Sequence, residues 1–272
     1  MLTLNSGVTM PVLGLGVFQS PPEETTAAVE TAIADGYRLI DTAASYDNER
    51  EVGEGIRASG IDRGELFVTT KLWYSDYGYD EALVGFEGCL ERLGLDYVDL
   101  FLLHHPVPTD FDATVAAYKA IEKVQAEGRA RAIGVSNFAE RHLENLMQKT
   151  EVVPAVNQVE LHPFFTQQPL REFHAKHGIR TEAWSPLGGI HRYRPADPDA
   201  VLNALEHPTV TSIADKHGKT PAQVVLRWHI EHGVVAIPKS VKPPRIAENV
   251  DVFDFDLPED EVASIDALDI GV

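Results

Sequence analysis

Basic side chains are scarce in this chain. Against 42 Asp and Glu stand only 23 Lys and Arg in 272 residues, a formal net charge of −19. Nucleic acids and anionic membranes repel such a surface, so neither is expected as a partner. Cysteine is nearly absent. Cys89 stands alone, which excludes an intrachain disulfide framework and fits a reducing, cytoplasmic compartment. No stretch approaches the roughly 20 uninterrupted apolar residues of a membrane-spanning helix. The opening MLTLNSGVTMP lacks both a basic start and a continuous apolar run, so no secretory signal is expected. Low-complexity tracts, solenoid repeats and Pro/Gly/Ser linkers are missing too, so residues 1–272 are expected to form one domain. The apolar share of 44% is ordinary for a folded protein and excludes disorder.

What the chain does contain is alternation. Short apolar runs recur as VLGLGV (12–17), YRLID (37–41), LFVTTK (66–71), VDLFLLH (98–104), RAIGVSN (131–137), AVNQVEL (155–161), IRTEAWS (179–185) and VVAIPKS (234–240). Runs of this kind suit strands buried on both faces. Amphipathic stretches lie between them, as at 22–36, 79–94 and 113–128; they open on acidic or capping residues, and several close on glycine. Eight such strand–helix units in one domain's length predict an α/β fold, the (β/α)8 TIM barrel, over its competitor, an open doubly wound sheet. The leading MLTLNSGVTMP, with NSG between apolar triplets, predicts a β-hairpin ahead of the first barrel strand, placed to plug the barrel bottom.

A barrel of this kind concentrates chemistry at the C-terminal ends of its strands. Those ends read Asp41, Lys71, His104, Ser136-Asn137, Gln158, Trp184-Ser185 and Lys239-Ser240. One polar strand end means little, because loops begin there; seven that all offer hydrogen-bonding or stacking groups suggest a site. Asp41, Lys71 and Tyr46, five residues past Asp41, form a candidate proton-donating set. An ammonium about 4 Å from a phenol, at an effective dielectric of about 20, is worth at most about 4 kcal/mol, or some three pKa units, of which an aspartate beside the lysine would offset part. Lysine is therefore expected to make Tyr46 more acidic, and Asp41 to orient that lysine and keep it charged. His104 would hydrogen-bond a substrate oxygen from a neutral ring.

His104-His105 has no carboxylate or thiol at a matching spacing, and HExxH and CxxC patterns are lacking, so no metal site is expected. GEGIRA (53–58) matches a dinucleotide fingerprint, but it sits in a helical stretch with no strand before it and is discarded. IPKSVKPPR (237–245) is a better anion site. Lys239, Lys242 and Arg245 fall there in nine residues without an acid, just past the last barrel strand, where phosphates dock in barrels.

Taken in order, GLGV (14–17), DTAASYDNEREVGEGI (41–56), TTKLW (69–73), VDLFLLHHP (98–106), IGVSNF (133–138), NQVELHP (157–163), WSPLG (184–188) and IPKSVKPPRIAENVDVFDF (237–255) resemble the aldo-keto reductase family along nearly the whole chain. Within it the chain is most similar to the bacterial 2,5-diketo-D-gluconate reductase group. The resemblance implies a catalytic tetrad of Asp41, Tyr46, Lys71 and His104, and NADPH or NADP lying across the barrel mouth. Ser136, Asn137 and Gln158 would hold the carboxamide, Trp184 would stack on the nicotinamide, and Ser185 and Leu187 would line the pyrophosphate path. Lys239, Ser240, Val241 and Arg245 would surround the 2′-phosphate, with Glu248 and Asn249 at the adenine. Phe18, Trp73 and His105 would touch the substrate.

The implied activity is reduction of aldehydes and ketones, dicarbonyls and keto-sugars among them, by a monomer. The alternatives are a non-catalytic nucleotide-binding protein on the same fold, or a barrel lyase using Lys71 as a Schiff-base amine. Three positions depart from the family pattern. His105 stands where many relatives have tryptophan, Trp184 where many animal members have tyrosine, and Lys242 where others have arginine or threonine. Only Ile-Gly-Val follows Asp269, so an open pocket is expected, shaped by the loops at 73–80 and 188–199.

Overall fold

The first ten residues fold back on themselves in the computed structural model, which describes residues 1–188 and 203–271. Strand β1 (Leu2–Thr3) pairs antiparallel with β2 (Thr9–Met10), Leu2 opposite Met10. Parallel strands follow in chain order: β3 (Leu15–Gly16), β4 (Leu39–Asp41), β5 (Phe67–Leu72), β6 (Val98–Leu103), β7 (Ala130–Ser136), β8 (Val156–Glu160), β9 (Arg180–Trp184) and β10 (Val235–Ala236). Each bonds to the next. The last then meets the first: Leu13 bridges Ala236 and Gly16 bridges Lys239, both in parallel. The Gly14 N–H donates to the Ala236 carbonyl at 2.9 Å, so the sheet is a closed (β/α)8 barrel. An open sheet would leave these edges apart.

Helices α1 (Pro22–Ala34), α2 (Glu49–Ser59), α3 (Tyr79–Leu93), α4 (Phe111–Ala126), α5 (Glu140–Met147), α6 (Gln168–His177), α7 (Pro208–His217), α8 (Pro221–Glu231), α9 (Pro243–Val250) and α10 (Glu259–Asp266) are the described helical elements. The stretch read as helical from residue 113 begins two residues sooner, because Asp110 caps it: its carboxylate accepts from the Ala113 N–H at 3.2 Å. The runs VLGLGV and VVAIPKS shrink to two-residue strands. They form the seam, where the backbones crowd: a Cβ on Gly16 would lie 2.7 Å from the Ile237 carbonyl oxygen. The glycines of GEGIRA serve a similar end. A Cβ on Gly53 would strike the Leu93 carbonyl, and one on Gly55 would lie 2.7 Å from the Thr26 carbonyl oxygen, so the glycines of this segment of α2 let it pack against α3 and α1.

Alternation along each strand divides the core. On β6, Phe101 and Leu103 face the helices while Leu100 and Leu102 face the barrel interior. The interior also holds Leu39, Phe67, Ala132, Val156, Val235 and Ile237, together with Leu4 and Met10 from the hairpin. The hairpin therefore stoppers the bottom. Asn5 Nδ2 donates to the Pro154 carbonyl at 3.1 Å and Arg180 Nε to the Thr3 carbonyl at 3.1 Å, which fastens it to the starts of β8 and β9. Continuing upward on the same inner face, the side chains turn polar at Asp41, Lys71, Gln158 and Glu182, all buried. That change of character marks the functional end.

Candidate active site

Lys71 is wholly buried near the top of β5, and its ammonium has three N–H groups to satisfy. Nζ donates to Asp41 Oδ1 at 2.6 Å, to the Thr42 carbonyl at 3.0 Å and to the Tyr46 hydroxyl at 3.3 Å. All three acceptors come from one short segment, because β4 ends at Asp41 and a 3-10 turn over Ala44–Tyr46 swings the phenol back across the barrel. Asn48 pins that turn. It accepts from Thr42 Oγ1 at 2.8 Å and donates to the Val17 carbonyl at 2.9 Å, tying the Tyr46 loop to the loop that carries Phe18.

Burial pulls the Lys71 ammonium down, but Asp41 and then Tyr46 more than reverse this, and its pKa ends above the ordinary lysine value. Burial drives the Asp41 carboxyl up against the pull of Lys71 and of the Gln158 amide. Tyr46 corrects an expectation. Burial pushes its phenol above the ordinary value of 10.0; Lys71 pulls against this, and Asp41 adds to the rise. Lys71 acts in the expected direction and Asp41 offsets it as expected, but the net rise corrects the expectation, because removing phenolate from water outweighs the field of the ammonium. Tyr46 therefore stays protonated at neutral pH.

His104 follows β6 beneath the same mouth. Burial, then Lys71 and His105, hold its imidazole down at about 2, so the ring is neutral. Its Nδ1 lies 3.4 Å from Ser45 Oγ; with Ser45 donating, the ring proton sits on Nε2. The ring meets Tyr46 edge-on at 5.6 Å and Trp73 edge-on at 4.9 Å, and it stacks on His105 at 5.0 Å. Phe18 closes on Tyr46 at 5.0 Å and is well exposed. The tetrad and the three substrate candidates Phe18, Trp73 and His105 are therefore gathered at one place. From the loop at 73–80, the Tyr77 hydroxyl donates to the His105 carbonyl at 2.7 Å. Residues 189–199 of the other expected pocket loop lie outside the described residues.

Beside this cluster stand Ser136, Asn137, Gln158 and Trp184. Ser136 Oγ donates to the Gln158 carbonyl at 2.8 Å. Asn137, at φ +64°, gives Nδ2 to the His104 carbonyl at 3.0 Å and to Ser136 Oγ at 3.1 Å, and takes Trp184 Nε1–H on Oδ1 at 2.9 Å. Gln158 gives Nε2 to Asp41 Oδ2 at 2.8 Å and to Glu182 Oε2 at 2.9 Å. Donors here are spent, and what remains are acceptor lone pairs, Gln158 Oε1 foremost. This complements the NH2 of a carboxamide.

Ser185 bends the chain at φ +48°, and Leu187 packs on the outer core. Across the seam, Lys239 and Arg245 are exposed, Val241 is half-buried and Asn249 is buried. Ser240 Oγ accepts from the Lys242 N–H at 3.1 Å, which shapes the basic turn. Glu248 accepts from Thr220 Oγ1 at 2.8 Å. Sequence reasoning missed Ser45, Asn48 and Glu182. Only Glu182 left a signal, since it lies two residues before Trp184 and so on the same inner face of β9. Among the described residues, no three His, Cys, Asp or Glu side chains are grouped to hold a metal, and no helix is long and apolar enough to cross a membrane.

An ammonium joining a carboxylate and a phenol beside a neutral imidazole, at the open end of a closed barrel, can be compared with known proteins. Residues 12–270 match the model of the aldo/keto reductase family. This chain belongs to that family. It is 56% identical to morphine 6-dehydrogenase of Pseudomonas putida over all of this chain and 92% of that protein. It is 49% identical to glyoxal reductase of Bacillus subtilis over 97% of this chain and 91% of that protein. Among solved structures, a Gox0644 mutant in complex with NADPH superposes with a TM-score of 0.89 at 45% identity, covering 98% of this chain and 93% of that one. As a family member, the chain is an oxidoreductase that acts on carbonyl groups.

Proposed function

We propose that this aldo/keto reductase uses NADPH to reduce small aldehydes and ketones, dicarbonyls and keto-sugars among them, acting as a cytoplasmic monomer in which residues 1–272 form one catalytic unit. The observation that carries this is the Lys71 ammonium, bonded at once to Asp41 and to the Tyr46 hydroxyl beside a neutral His104. Ser136, Asn137 and Gln158 would hold the carboxamide of the coenzyme, Trp184 its ring, and Lys239 and Arg245 its 2′-phosphate. Bound NADPH supplies a hydride to the carbonyl carbon.

The residues of the chain manage the charge that develops on oxygen. Tyr46 O–H and His104 Nε2–H donate to the carbonyl oxygen, forming a preorganised pair that favours the alkoxide over the neutral ketone. Tyr46, protonated at neutral pH, then releases its proton to that oxygen. The phenolate left behind is stabilised by Lys71, and Asp41 keeps Lys71 charged in a site with little water. A Schiff-base lysine would have to be neutral, and the three acceptors around Nζ hold it protonated.

The test is loss of NADPH absorbance with methylglyoxal and glyoxal, in native protein and in Tyr46→Phe. We expect turnover in the native protein and a loss of about 10²- to 10⁴-fold in the variant, with NADPH affinity held within about twofold. A Tyr46→Phe enzyme with native kcat would sink the mechanism.

A further inference from the structure

Two amides at this site, those of half-buried Asn137 and buried Gln158, are both oriented by β9. Trp184 settles Asn137, because an indole N–H can only donate, so the amide must turn Oδ1 toward it. Glu182, two residues earlier on the same inner face, lies directly across from Gln158 in the β8–β9 register. Its Oε2 accepts from Gln158 Nε2 at 2.9 Å, while Asp41 Oδ2 accepts from the same nitrogen at 2.8 Å. Both N–H groups of that amide are thus directed at carboxyl groups, and its Oε1 is left as the group on offer.

We propose that Glu182 is a positioning residue, which with Asp41 clamps the Gln158 amide so that Gln158 Oε1 is presented to the carboxamide NH2 of NADPH, a role that presupposes the reductase function proposed above.

The burial of Glu182 has no other explanation on its own strand. Neither Glu182 nor Gln158 is open to solvent, and Glu182 Oε1 has no hydrogen-bond partner among the described residues. A carboxyl sealed in a barrel with one oxygen unpaired is costly, and an aliphatic side chain would fill the same place without that cost. Its β10 neighbour in the register is Val235, which offers no compensation, and the charged groups that face it are Asp41 and Lys71. Burial, then Asp41, raises its pKa above the ordinary carboxyl value against the pull of Gln158 and Lys71. Glutamine keeps the shape and an acceptor oxygen without a charge, and is the closest neutral mimic of this side chain.

Calorimetric titration of Glu182→Leu and Glu182→Gln with NADPH, and with adenosine 2′,5′-bisphosphate, tests this. The bisphosphate occupies only the basic turn and adenine end. With the clamp broken, Glu182→Leu should weaken NADPH about tenfold, the worth of one misdirected buried hydrogen bond. Its affinity for the bisphosphate should stay within about twofold, which also shows that the variant is folded. Glu182→Gln keeps an acceptor for Gln158 and should bind NADPH within about threefold of native. Should the leucine variant not fold, the smaller Glu182→Thr carries the same comparison.

The proposal is overturned if the leucine or threonine variant binds NADPH as native protein does. Equal weakening of both ligands overturns it too, as does a glutamine variant as impaired as the leucine one. A native protein that binds neither ligand and reduces no carbonyl would instead overturn the reductase function itself.

Discussion

Trp184 Nε1 donates to Asn137 Oδ1 at 2.9 Å, a bond that steps over β8 to join the ends of two strands that are not neighbours in the barrel. The ring expected under the nicotinamide and an amide expected beside it thus hold one another in place. In Trp184→Phe an aromatic face survives but the bond does not. We expect NADPH to bind about two- to tenfold more weakly, the usual worth of one hydrogen bond, as read by calorimetry. Unchanged affinity would show that the bond does not order the coenzyme site.

Arg245 lies in the first turn of α9, exposed, in a basic turn on an otherwise acidic molecule. Arg245→Ala should raise the KM for NADPH about 10- to 100-fold, as expected for a charge-assisted contact to phosphate, and leave that for NADH within about twofold. Parallel kinetics with the two coenzymes decide it; equal losses would assign the turn another role.

His174 is buried, with Nε2 2.9 Å from Asn157 Nδ2 and Nδ1 2.8 Å from Thr181 Oγ1. Burial holds it at about 4, against an ordinary 6.5. The folded protein therefore declines a proton that the unfolded chain accepts. Its contribution to stability is complete above pH 6.5 and drains away as the pH falls towards 4. Each pH unit in that window costs about 1.4 kcal/mol. In His174→Gln the drop in unfolding free energy between pH 7 and pH 5 should shrink by roughly 2 kcal/mol, as measured by urea denaturation at the two values. Comparing slopes removes any packing change common to both.

Met10 is fully buried in the barrel interior. Met10→Ala should cost about 2 to 5 kcal/mol by cavity formation, again from urea curves, while the KM values stay native. A KM change would mean that the stopper communicates with the mouth.

Much of this was legible in the sequence because the barrel puts chemistry at strand ends. Asp41, Lys71 and His104 each close an apolar run, so the runs and the site were found together. The hairpin was legible through NSG. What escaped depends on distance across the barrel. Nothing local in Ser45 or Asn48 announces that one faces His104 and the other binds the Val17 carbonyl. Tyr46 shows a second limit. Proximity to lysine could be argued from motif positions, but the penalty for burying a phenolate depends on how completely the neighbours exclude water. The shortened strands at the seam are a third case, since the Gly16 approach to Ile237 exists only once the sheet has closed.

The stopper also bears on how the molecule is made. Leu4 and Met10 share one apolar cluster with Val235 and Ile237; beside them the Asn5 side chain donates to a carbonyl 149 positions further along, and the Thr3 carbonyl accepts from an arginine 177 positions further along. The hairpin is thus seated by partners on β8, β9 and β10, all far downstream of it in the chain. Until those strands have been made, the greasy hairpin has no berth, and the growing chain must be kept from sticking to its neighbours in the meantime.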